Sequence, residues 1–130
     1  MKVSFYDGGR IRGIPVQIGG TSYVPPLPIE TVVIERIDEI RSQDKEPIEI
    51  AIELCMYCMK TQVFKDGNKR ASVIFANHYL IAQGMGFLVI PEKDVPEFKK
   101  LLVQYYEGEP LEVIGAFLKE RCWKNFLECY

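Results

Sequence analysis

Two apolar runs of helical length, PIEIAIELCMYCMK (47–60) and ASVIFANHYLIAQG (71–84), are separated only by the polar decapeptide TQVFKDGNKR (61–70). Neither run leaves a broad solvated face, so both helices must be covered by other elements, with the polar loop at the junction of their ends. In the first run Ile48, Ala51, Ile52, Cys55 and Met59 make one stripe, while Ile50, Leu54 and Tyr57 take other faces. That helix is expected to be buried on most sides. The second run is apolar almost all round and stops at Gly84, which gives it the central place in the domain.

The flanking segments supply the cover. Ile29, Val33, Ile37 and Ile40 fall on one face of a helix ending near Arg41, and Pro47 suits the first turn of the next. FLVIP is a short extended piece, and Asp94 with Glu97 resembles a capping box opening a helix to Tyr106. Gly108 and Pro110 then set off a last helix at about 111–124. The N-terminal part has short β-prone pieces around Gly19 and Gly20, a hairpin with arms at 14–18 and 21–24. PPLP at 25–28 suits a polyproline ligand or, more commonly, a stiff lead-in to a helix. The expected fold class is all-α, a helical bundle with a short N-terminal β-hairpin, in one domain over 1–130.

Composition narrows the function. At 130 residues, 48% hydrophobic and 26% charged, the chain reads as one soluble globule. A net charge of -2 gives no general attraction to nucleic acid or anionic membrane, so an anion site must be local. No apolar run approaches the roughly 18 residues of a membrane span, and MKVSFYDGGRIRG has no signal-peptide core. A cytoplasmic location is expected. Cys55 and Cys58 form a CxxC inside an apolar helix, and Cys122 and Cys129 lie near the C-terminus without a neighbouring histidine. Inert buried thiols fit this pattern better than a four-thiolate zinc site.

The loop carries the chemistry. The free N–H groups of the helix starting near Asn68, with the helix dipole, make an anion site. Gly67 lets the backbone turn and a ligand approach, and Lys69 and Arg70 add positive charge. Asp66 would repel a bare phosphate, so its natural role is to hold a magnesium ion shared with phosphates. Phe64 would anchor the loop. The alternative is a capped helix start with a solvated Asp–Lys–Arg face.

The segment Gln62-Val63-Phe64-Lys65-Asp66-Gly67-Asn68-Lys69-Arg70 resembles the signature loop of Fic (Fic/Doc) proteins, His-x-Phe-x-Asp/Glu-Gly-Asn-Gly/Lys-Arg. GRIRGIPVQIGGTSYVPPLP is similar to the family's flap hairpin and proline-rich lead-in, placed at about 10–26. The two apolar runs look like the helices around the loop, and VPEFKKLLVQYYEGEPLEVIGAFLKE is similar to a frequent C-terminal end, so the likeness covers about 10–120. The resemblance implies a nucleotide triphosphate bound with Mg2+, usually ATP, and transfer of AMP to a protein hydroxyl. It implies that Asp66 binds the metal, that Gly67, Asn68 and Lys69 line a phosphate nest, and that Arg70 pairs with phosphate oxygens. Val16, Gln17, Ile18, Gly19 and Gly20 would form the flap that docks a target protein by strand addition.

Three departures qualify this expectation. Gln62 stands where the family has its proton-accepting histidine, and a glutamine amide has no proton affinity near neutral pH. Loss of a positioned base removes on the order of 10²–10⁴ in rate. His78, the sole histidine, lies about 15 Å along the same helix from Asn68 and reads as a core or inter-helix residue. Val73 stands where the longer motif has a second arginine, and Val103 breaks the inhibitory Ser/Thr-x-x-x-Glu-Gly/Asn pattern before Glu107 and Gly108. The chain starts almost at the flap, which fits a short member or a piece of a longer protein. The expectation is a nucleotide-binding Fic-fold protein with impaired AMP transfer. The alternatives are an enzyme with altered phosphoryl chemistry that uses Gln62 for orientation and a non-catalytic toxin–antitoxin or regulatory module. An antitoxin or inhibitor chain and a homodimer are further partners compatible with this reading.

Overall fold

The computed structural model describes residues 12–13, 15–63 and 67–125. Within them five α-helices follow in order: α1 (Glu30–Arg41), α2 (Pro47–Thr61), α3 (Asn68–Ala82), α4 (Val95–Tyr106) and α5 (Leu111–Phe117). The all-α expectation holds. A π-helical turn, Leu118–Cys122, extends α5 and leads into β2 (Trp123–Lys124), which pairs antiparallel with β1 (Phe87–Leu88). The last helix is therefore shorter than its pattern suggests, and its end is drawn into a strand.

Burial puts α2, not α3, at the centre. Ile48, Ile50, Ala51, Ile52, Leu54, Cys55, Met56, Cys58 and Met59 are all buried, and α1, α3, α5 and the π turn pack around them. α3 keeps only Asn68, Ser72, Ala76, Tyr79 and Leu80 buried, and it exposes Ile74 (62%) and Ile81 (51%). Apolar residues on every face thus did not mean contact on every face. α1 buries Val33, Ile37 and Ile40 as its spacing predicts, but Ile29, the residue before its first turn, is 63% exposed.

Two local expectations change. The side chain of Asp94 makes no capping bond at the start of α4; it is buried and accepts a hydrogen bond from Arg121 Nη1 at 3.4 Å. Around the flap, residues 19–20 form the expected turn, but residues 15–18 and 21–24 carry no strand ladder. The antiparallel pair among the described residues is the β1–β2 pair. Tyr23 N–H donates instead to Thr21 Oγ1, whose hydroxyl donates to Glu107 Oε1, so the flap segment is tied to the end of α4. Residue 14 of the first arm lies outside the described residues. Among those described, no helix is long and apolar enough to cross a membrane.

Candidate functional site

α2 ends at Gln62 in the left-handed conformation, φ 50° and ψ 55°. The Gln62 N–H donates to Met59 O at 3.2 Å and the Val63 N–H to Cys58 O at 3.4 Å, the double bond of a Schellman closure. Glycine is the usual residue at such a position. Gln62 holds it with side-chain help, since its Nε2 donates to Met59 O at 2.6 Å.

Arg12 secures the same corner from outside. Its Nε donates to Gln62 O, and its Nη2 donates to Thr61 O at 3.1 Å and Pro26 O at 2.8 Å. Its backbone N–H donates to Val63 O at 2.9 Å. A cation on the last carbonyls of α2 satisfies acceptors the helix leaves open and opposes the dipole's negative end. Burial lowers the Arg12 pKa, an effect partly offset by Tyr23.

Across the loop, α3 begins after Gly67, its N-cap residue, at φ 62°. The helix continues by the bond from Ala71 N–H to Gly67 O, which leaves the N–H groups of Asn68, Lys69 and Arg70 ahead of the first helical turn of bonds. Asn68 is buried, Lys69 and Arg70 are exposed, and a Cβ on Gly67 would lie 3.9 Å from Arg70 Nη2. The Arg70 guanidinium therefore folds back over the loop.

These parts share one cleft of about 440 Å³, walled by Gln62, Gly67, Asn68, Lys69, Arg70 and Tyr106 on one side and by Val16, Gln17, Ile18 and Gly19 on the other. The structure thus gathers every described residue named from the sequence for this site except Gly20, which lies at the flap turn outside the wall. Asp66 and Phe64 lie outside the described residues. His78 is exposed on α3 and takes no part, a correction to its expected core or inter-helix position. Val73 lines an adjoining apolar pocket with Met59, Ile74, Ile90, Val95 and Phe98, rimmed by Lys69, Arg70 and Lys99.

Two residues of the site escape sequence reasoning. Arg12 could have been suspected from the buried carbonyls every helix end must satisfy, but nothing local marks it as their partner. Tyr106 belongs by periodicity to the core face of α4, where it is indeed 2% exposed. Its ring stacks on Tyr23 with centroids 6.0 Å apart. Burial raises its hydroxyl pKa to about 12, with the Gln62 side chain pulling the other way. The CxxC thiols are buried and unpaired, and burial pushes Cys58 up to about 12. No group of three or more His, Cys, Asp or Glu among the described residues forms a metal cluster.

Comparison with known proteins bears on the family of the chain. No curated protein matches the chain. The model of the Fic/DOC family matches residues 3–80, which spans the flap, α1, α2, the loop and nearly all of α3, while the C-terminal helices lie beyond the match. The chain belongs to the Fic/DOC family.

Proposed function

We propose that this protein binds a magnesium nucleotide, with ATP as the reference ligand, in the cleft over the start of α3, and that AMP transfer to a protein hydroxyl is weak or lost. The observation that supports binding is the α3 N-terminus sharing a wall with Lys69 and Arg70. The helix dipole at this end and two cations both favour phosphate oxygens. Among the described residues no carboxylate lines the cleft. A magnesium ion would therefore rest on Asp66, with phosphates and water as its other ligands, a donor set that magnesium accepts. Its chemistry would be to neutralise phosphate charge.

The weak-transfer half follows from the proton inventory. None of the described wall residues is a base near neutral pH: Gln62 and Asn68 are amides, Lys69 and Arg70 are cations, and Tyr106 is held neutral by burial. The flap residues Val16, Gln17, Ile18 and Gly19 face the same cleft, which suits docking of an extended target segment through backbone bonds.

Calorimetric titration with ATP and Mg2+ tests the binding. Saturable binding that weakens at least tenfold in Arg70→Ala is expected, and a flat titration of the wild-type protein would end the proposal. Labelled ATP with cell lysate tests the chemistry. Gln62→His is expected to create or raise AMP transfer in a protein that still binds. Binding without that gain would show that the pocket geometry, beyond the base, has diverged.

A further inference from the structure

The Tyr106 hydroxyl is buried without a hydrogen-bond partner. It lies beside the Gln62 side chain, near enough to feel it, yet no bond of ordinary geometry joins them. A buried orphan donor at the wall of a candidate site calls for a physical account.

Counting hydrogen bonds around Gln62 supplies one. The Gln62 carboxamide is folded back, its Nε2 donating to Met59 O at 2.6 Å. Met59 O does not need that bond, because it also accepts from the Gln62 backbone N–H at 3.2 Å. The Tyr106 hydroxyl, by contrast, has none. Turning the carboxamide would therefore give up a redundant bond and make a missing one, with Oε1 as the acceptor. It would also release the Nε2 hydrogen held at the helix end. Tyr23 stacks on the Tyr106 ring, Cys55 and Tyr105 also lie close, and the Gln62 side chain is within reach of the hydroxyl.

Resting on the nucleotide-binding reading above, we propose that Tyr106 is a positioning residue for Gln62. Its hydroxyl donates to Gln62 Oε1 when a phosphate-bearing ligand occupies the cleft, and the Gln62 amide N–H groups then turn from Met59 O to a ligand oxygen. Gln62 thereby acts as an orienting donor, and Tyr106 acts only through it. No proton changes owner.

Tyr106→Phe removes only the hydroxyl, so the ligand-free variant should melt at the wild-type temperature or above. A lower melting temperature would mean that the hydroxyl has a structural partner, and would overturn the proposal. Titration with Mg-ATP and with Mg-tripolyphosphate should show three- to tenfold weaker binding of both, the size of one net hydrogen bond. In a Gln62→Ala background Tyr106→Phe should change affinity by less than about twofold, because the residue it positions is gone. An equal loss in both backgrounds, or none in either, overturns the proposal. In protein labelled with ¹⁵N-glutamine, the Gln62 side-chain amide signal, assigned by its disappearance in Gln62→Ala, should move on ligand addition in wild type and stay in Tyr106→Phe. If wild type binds neither probe, the proposed function fails and this inference with it. If it binds both without coupling between Tyr106 and Gln62, the inference alone fails.

Discussion

At the scale of single residues, the site depends on how the C-terminus of α2 is closed. Gln62 occupies a left-handed conformation that costs a non-glycine residue about 1–2 kcal/mol, and Arg12 is the side chain that holds its carbonyl. The Arg12 side chain serves three carbonyl oxygens, those of Thr61, Gln62 and Pro26, and Arg12 is only 3% exposed. Arg12→Ala would leave these acceptors without their donor. It should lower unfolding free energy by about 2–4 kcal/mol in urea denaturation. Arg12→Lys should recover less than half, since an ammonium cannot span three carbonyls as a planar fork does. A loss below about 0.5 kcal/mol in Arg12→Ala would show that water replaces the guanidinium. The loop's anion-binding parts were legible because Gly67, Asn68, Lys69 and Arg70 are consecutive. Arg12 and Tyr106 were not, because only the fold brings them to Gln62, across 50 and 44 positions of chain.

At the scale of elements, helix positions followed from apolar period and from Pro47, but the rank of the helices did not. The apolar runs 47–60 and 71–84 read alike as strings, and only packing shows that α2 is enclosed while Ile74 and Ile81 of α3 face outward. The β1–β2 pair was half legible: FLVIP marked the first strand, while β2 hid in the tail of a helical pattern. Its formation rests on two features. Asn77 of α3 serves β1 as a neighbouring strand would, accepting from Leu88 N–H at 2.6 Å and donating to Leu88 O at 2.8 Å. Gly86 lets the C-terminal strand come close: a Cβ there, at φ 96°, would clash with Lys124 O. Gly86→Ala must therefore push β2 away. It should cost about 2–4 kcal/mol. The single tryptophan reports the change, because Trp123 Nε1 donates to Met85 O at 2.7 Å. Its emission should shift to the red in the native variant. An unshifted spectrum with wild-type stability would mean that β1 and β2 pair in another way.

At the scale of the whole molecule, the core is closed by acids held in their neutral form. Burial raises Cys58 from 9.0 to about 12 and Cys122 from 9.0 to about 11, the latter with Asp94 adding to the effect. Tyr106 rises from 10.0 to about 12. For each group the folded state prefers the proton more strongly than the unfolded state does. The stabilisation is therefore fully present below pH 9 and is lost as pH climbs from 9 toward 12. At 1.36 kcal/mol per unit, Cys58 alone accounts for roughly 4 kcal/mol over that window. Set against a domain stability of about 5–15 kcal/mol, this is a large fraction of the whole, and Tyr106 and Cys122 act in the same direction. Circular dichroism followed against pH should stay flat to about pH 9 and show a cooperative loss of helix before pH 12. A thiol reagent at pH 8 should leave Cys55, Cys58 and Cys122 unmodified until denaturant is added, since all three are buried. Cys58→Ala should move the alkaline midpoint upward although it lowers stability at pH 7 through the space it leaves. A transition already complete at pH 9, or one that Cys58→Ala does not move, would place the alkaline weakness outside this thiol.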